Sequence, residues 1–199
     1  MDRLFGADAD EGDGHTAESE SEPPSPADRG RAPSVGPEAE VDHDLASIRQ
    51  AISGMESVPR ERRRFLSGYA YILVRLARAD GHINDAEIVA MERAVVTAGE
   101  LPEAQGALLV ALAGRMNSLY GSTEDYAVTR EFARTSSPQE RQRLMRACIA
   151  VGAADAVIAG AEATELYEIG RELGFGLEEV DDIRDQVLSS EPETPAQPD

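Results

Sequence analysis

Lysine is missing altogether from these 199 residues: all 19 basic side chains are arginine, set against 38 acidic ones, for a formal charge of -19. Such an imbalance repels phosphate backbones and anionic lipid, so nucleic-acid binding and membrane-surface binding are disfavoured. Cations, or a basic partner surface, are the compatible ligands. Cysteine is almost absent too. The single Cys148 can form no internal disulfide, and its apolar setting, LMRACIAV, reads as a buried and inert thiol. Histidine occurs only at His15, His43 and His82, too sparsely for a His/Cys cluster, which makes zinc and redox metals poor candidates. No apolar stretch approaches a membrane span, and no basic segment followed by an apolar run opens the sequence, so a cytoplasmic protein without direct membrane insertion is expected. Glycine-rich nucleotide loops, a Ser/His/Asp set and a Cys paired with His are also missing, which argues against an enzyme.

What is present divides into three parts. Residues 1–44 hold 13 acidic and 3 basic residues around a Ser/Pro/Gly-rich middle. So little apolar surface cannot offset the entropy of ordering, and a disordered acidic tail is expected there, with a second short one at 189–199. Residues 45–188 keep 22 acidic and 16 basic residues, a net of -6, and carry the apolar pattern of one folded domain.

That pattern has the period of helices. Phe65, Tyr69, Ile72, Leu73 and Leu76 share one face, as do Ile88, Met91 and Val95. Leu108, Leu109, Leu112, Met116 and Leu119 form another stripe, and comparable ones recur up to Val187. Asn84 with Glu87, and Ser137 with Pro138 and Glu140, have the form of capping boxes. Gly99 and Gly174 stand where left-handed helix terminators belong. The expectation is an all-α bundle of seven to eight helices, at 43–55, 60–79, 85–98, 102–120, 123–134, 138–153, 161–173 and 177–188.

One element occurs twice. ADGHINDAE, Ala79 to Glu87, returns as ADAVIAGAE, Ala154 to Glu162, each copy at the joint between two apolar stretches. Alignment pairs Asp80 with Asp155, Ile83 with Ile158, Glu87 with Glu162 and Gly99 with Gly174, which reads as a duplicated helix-loop-helix unit. Ile83 and Ile158 would turn each loop onto the core. Asp80 and Asp155 fall at helix C-termini, where the macrodipole disfavours an anion, so something should compensate: nearby backbone N–H groups, Arg78, or a bound cation. Glu87 has a capping role available, whereas Glu162 lacks a capping residue at Ala159.

The string Asp80 to Glu87 matches the second half of an EF-hand loop. The first and third ligand positions would then fall on Leu76 and Arg78, and in the second copy on Val151 and Ala153, so a standard EF-hand is excluded. A shared site built from Asp80, Asp85, Glu87, Asp155 and Glu162 could hold calcium or magnesium if the two corners converge. Four carboxylates within ~6 Å of one another would repel pairwise by roughly 3 kcal/mol at an effective dielectric near 20, and a cation would relieve that. Loop-fixing and helix-capping hydrogen bonds are the commoner fate of such residues. His82 reads as a solvent-facing loop residue. The run Arg60 to Arg64, RERRR, reads as the solvated start of a helix rather than an anion seat.

The doubled A-D-x-x-I-x-x-x-E corner between amphipathic helices resembles the TerB domain of tellurite-resistance proteins, over about Phe65 to Asp185. The resemblance implies an all-helical, non-enzymatic module linked to stress and metal-compound resistance, with the acidic corners as a metal-binding or partner-binding surface. Asp80, Gly81, Ile83 and Glu87 match the motif fully, whereas the second copy has Ala156 in place of Gly81. The expected function is therefore a divalent-cation-responsive module in a tellurite or general stress response, acting through an unknown protein partner. The alternative is a scaffolding interaction domain whose corner carboxylates only cap helices.

Overall fold

A computed structural model describes residues 49–154, 158 and 160–190. The N-terminal tail 1–44, the expected helix start at 43, Asp155, Ala156 and the chain beyond 190 lie outside the described residues. Among those described there are seven helices and no strand: α1 (49–57), α2 (Arg60–Ala77), α3 (Asp85–Gly99), α4 (Glu103–Thr135), α5 (Pro138–Gly152), α6 (Ala161–Leu173) and α7 (Leu177–Ser190).

Helix α2 is the axis of the bundle, packed against α3, α4, α5 and α6, while α7 closes over α5 and α6. The periodicity of α2 suggested one apolar face, but every residue from Tyr69 to Ala77 is buried, Arg75 included. A helix apolar almost all round is what a central position requires, and neighbours on several sides cover it. Its partners supply Met91 and Val95 from α3, Leu109 and Phe132 from α4, Leu144, Met145 and Ile149 from α5, and Leu166 and Ile169 from α6. Two close approaches rest on glycine. A methyl at Gly170 would stand 2.6 Å from Val180 of α7, and one at Gly106 would stand 2.5 Å from Val96 of α3.

Both capping boxes form as expected, at Asn84 with Glu87 and at Ser137 with Glu140, and Gly174 takes the left-handed terminator position with φ of 94°. Gly99 does not. Helix α3 runs through it, and Glu100 adopts φ of 52° instead. Gly99 is needed for space, since a methyl there would come within 2.6 Å of Leu101 and 3.0 Å of Leu66.

The largest departure from the sequence pattern is α4. The two helices expected at 102–120 and 123–134 are one continuous helix of 33 residues. Its course is nevertheless bent. The side-chain amide of Asn117 donates to Asp125 Oδ1 at 3.1 Å, although eight residues of straight helix would separate the two by about 12 Å along the axis. The bend falls between them, in the stretch that contains the sequence pair Gly121–Ser122, residue types at which helices commonly bend. Without proline, the interruption costs only about 1 kcal/mol and the helix continues through it.

The expected apolar stripe of α4 is also turned. Leu109, Val110, Ala113 and Asn117 face inward, whereas Leu112, Met116 and Leu119 are 53%, 49% and 59% exposed. The buried stripe is thus rotated by about one residue, or 100°, from the one the sequence suggested.

Candidate functional site

Two first-corner carboxylates, Asp80 and Glu87, have local partners. Asp80 is exposed, and its Oδ1 accepts the backbone N–H of His82 at 2.8 Å. Compensation at the end of α2 therefore comes from the loop itself. Arg78 points elsewhere, donating to Ser118 Oγ at 2.7 Å. Glu87 is buried and accepts the Asn84 N–H at 2.8 Å, while its own N–H donates to Asn84 Oδ1 at 2.9 Å. Asp85 lies exposed in the first turn of α3, and His82 is exposed as expected. Gly81 takes φ of 93°, a value alanine adopts with difficulty, and its counterpart Ala156 lies outside the described residues.

In the second corner, Glu162 is buried in the first turn of α6, behind a Gly160 cap that contributes no side chain. Ile83 and Ile158 both pack on the core, Ile158 against Gly152, as the repeat suggested. Asp155 lies outside the described residues. Helices α3 and α6, whose first turns hold Glu87 and Glu162, share no substantial packing. Among the described residues, no three of His, Cys, Asp and Glu come together in a way that could hold a metal ion.

The concentrated chemistry lies elsewhere, around Arg75. Its guanidinium sits within the core, with the side chain 5% exposed. Nη1 donates to Glu172 Oε2 at 2.6 Å and to Thr129 Oγ1 at 2.9 Å, and Nε donates to Glu165 Oε1 at 2.5 Å. Glu172 is itself buried. Beside this cluster, Asp125 Oδ1 accepts both the Tyr71 hydroxyl at 2.9 Å and the Asn117 amide. Burial raises the Asp125 carboxyl above its ordinary range, against the lowering effects of the Tyr71 hydrogen bond and the Arg75 charge. Burial likewise raises Glu165, with Arg75 opposing it. The Tyr71 hydroxyl, buried and bonded to a carboxylate, is pushed up to about 12.

These groups open onto a polar pocket of about 560 Å³, lined by Arg75, Arg78, Asn117, Glu124, Asp125 and Glu165 among others. Next to it, in the concavity of bent α4, runs an apolar groove of about 880 Å³. Gly68 and Tyr71 of α2 line one side, and Leu109, Leu112, Met116 and Phe132 of α4 line the other. Tyr120 and Glu124 border both hollows. The groove brings together residues that sequence reading assigned to the core. Arg75 could have been noticed as the one charge inside YILVRLA, but its partners lie 50 to 97 residues away in sequence.

The arginine run is less free than its pattern suggested. Arg62 donates to the Ala98 carbonyl and stacks over Phe65 at 4.9 Å, and Arg64 pairs with Glu131. Cys148 is fully buried, and burial pushes its thiol up to about 12, too high for a nucleophile at neutral pH.

Comparison with known families identifies this architecture. The family model described as tellurite resistance protein TerB matches residues 67–185, and the chain belongs to that family. No curated protein and no solved structure matches it.

Proposed function

We infer that this TerB-family chain is a non-enzymatic, cytoplasmic recognition module in a tellurite or general stress response, which holds a protein partner against the concave face of α4. The observation that carries the reading is the apolar stripe Leu112, Met116, Leu119 and Tyr120, about half exposed and set beside an apolar groove. An apolar surface of this extent on a folded domain usually marks an interaction site. No helix among the described residues is long and apolar enough to cross a membrane. A photo-crosslinking residue placed at Met116 in cells tests it. One dominant adduct, identified by mass spectrometry and lost with Leu112→Asp, is the expected result. Equal adducts from an exposed site on another helix, such as Val89 of α3, would defeat it.

The second reading is response to calcium or magnesium at the repeated corner, supported by the recurrence of Asp80 and Glu87 as Asp155 and Glu162. The Asx-type turn at Asp80 and the capping box at Glu87 support the competing role, in which the first-corner carboxylates fix loops and caps. Calorimetry with each metal at millimolar concentration separates the two. A cation site built on Asp80, Asp85, Glu87, Asp155 and Glu162 binds metal and raises the melting temperature, and Asp80→Asn with Asp155→Asn abolishes both effects. Capping alone gives a less stable double variant whose melting ignores metal.

A further inference from the structure

The groove and the polar pocket meet at Tyr120 and Glu124, and their chemistry differs sharply. On the groove side the exposed anchors Leu112, Met116 and Tyr120 follow one another at four-residue steps, a spacing that matches the ridges of another helix. On the pocket side the charge is unbalanced. Three carboxylates, from Glu124, Asp125 and Glu165, line it together with Arg75 and Arg78. Arg75 is already committed to Glu165 and the buried Glu172, and Glu168 approaches it at 4.0 Å. Glu124 is exposed and bonded to no described residue. Three carboxylates thus share the pocket with two guanidiniums, one of which is already paired to Glu165 and Glu172, on a chain that is already strongly acidic.

We propose that the partner is an amphipathic helix with a basic polar face, its apolar residues seated in the α2–α4 groove and a lysine or arginine entering the acidic pocket beside Glu124. The proposal rests on the recognition reading above and adds the chemistry of the partner. Charge complementarity selects this occupant: an acidic helix would meet Glu124 and Asp125, and an anionic membrane would meet the same repulsion.

The test is fluorescence anisotropy of the full chain with two designed helical peptides of identical apolar face, one with a lysine/arginine polar face and one with a glutamate polar face. At low salt the basic peptide should bind roughly tenfold or more tightly than the acidic one, and the gap should shrink as salt is added. Met116→Asp, at a half-exposed position and with folding checked by circular dichroism, should abolish binding of both. Glu124→Arg should reduce or reverse the preference while keeping the apolar contribution. Equal binding of the two peptides, no binding of either, or unchanged binding by Met116→Asp overturns the proposal. So does a dimer of the chain alone that Met116→Asp dissociates, because a second copy would then fill the groove. An adduct at Met116 in cells to a partner segment without basic residues would sink the proposal and leave the recognition reading standing. Absence of both adduct and peptide binding would remove both.

Discussion

Arg75→Met is the most informative single substitution, because it removes a charge and leaves its partners in place. The guanidinium gives hydrogen bonds to Glu172, Thr129 and Glu165, and its side chain is 5% exposed. Glu165 keeps a side-chain exposure of 23% and can turn toward water, but Glu172, at 6%, cannot without opening the interface between α6 and α2. Breaking one side of a buried ion pair typically costs about 3–5 kcal/mol, because a charge is left buried without a partner. For a folded part of this size the corresponding fall in melting temperature is roughly 10–15 °C. Removing both sides is different. Replacing a buried pair by apolar groups of similar volume is often nearly neutral, so Arg75→Met with Glu172→Leu should recover more than half of the loss, the remainder being about 1 kcal/mol for the Thr129 hydroxyl left without its donor. Urea denaturation followed by circular dichroism gives both quantities. A single-variant loss below about 1 kcal/mol would refute the assignment of Arg75 as the buried charge centre. So would a double variant no more stable than the single one.

Three further outcomes follow from the same geometry. An acid whose pKa is raised on folding contributes stability that is fully present below its unfolded value, near 3.8 for Asp125, and lost as pH rises through the raised one. Asp125→Asn should therefore lose stability relative to wild type at low pH and regain ground toward neutrality, and parallel curves in denaturation at a series of pH values would contradict this. Cys148 should react with a thiol reagent only as fast as the chain unfolds, at the same rate as global unfolding in stopped-flow experiments; fast labelling of the native protein would mean the site opens locally. Gly106→Ala should destabilise by about 1–3 kcal/mol through collision with Val96, whereas Gly121→Ala, whose added methyl finds only ordinary contact at 3.6 Å from Asn117, should be neutral or gain up to about 1 kcal/mol. Equal effects at the two glycines would show that the bend in α4 needs Gly121 for more than helix propensity.

Much of the fold was legible because helices announce themselves locally. Asn84 with Glu87 and Ser137 with Glu140 place two N-termini to the residue, and the repeated corner places Ile83 and Ile158 on the core. Facing was harder. Periodicity gives a stripe, and a stripe wide enough to include Leu109, Leu112 and Met116 does not say which edge of it turns inward; the packing of α4 on α2 and α3 decides that. Gly121–Ser122 was legible as an interruption but not as a bend, since the hydrogen bond that reveals the bend joins side chains that only the folded chain brings together. The corner carboxylates stood out because they repeat, and for Asp80 and Glu87 the structure records local turn and cap bonds that the sequence had offered as the plainer possibility. Arg75 left only a faint trace in the sequence, one charge in an apolar run, because its meaning depends on α4 and α6.

The bend in α4 is what makes the pocket and the groove one surface. Asp125 accepts from Asn117 on the first arm of α4 and from Tyr71 on α2 through a single oxygen, so it holds the second arm against both. Arg75 then ties that second arm to α6, through Thr129 and the Asp125 carbonyl on one side and Glu165 and Glu172 on the other. With the second arm fixed in this way, the first arm must present Leu109, Val110 and Ala113 to the core, and the turn of the helix sends Leu112 and Met116 outward. The buried charge cluster and the exposed apolar stripe are therefore consequences of one arrangement. A partner helix lying along the stripe would run toward the acidic groups that hold the bend.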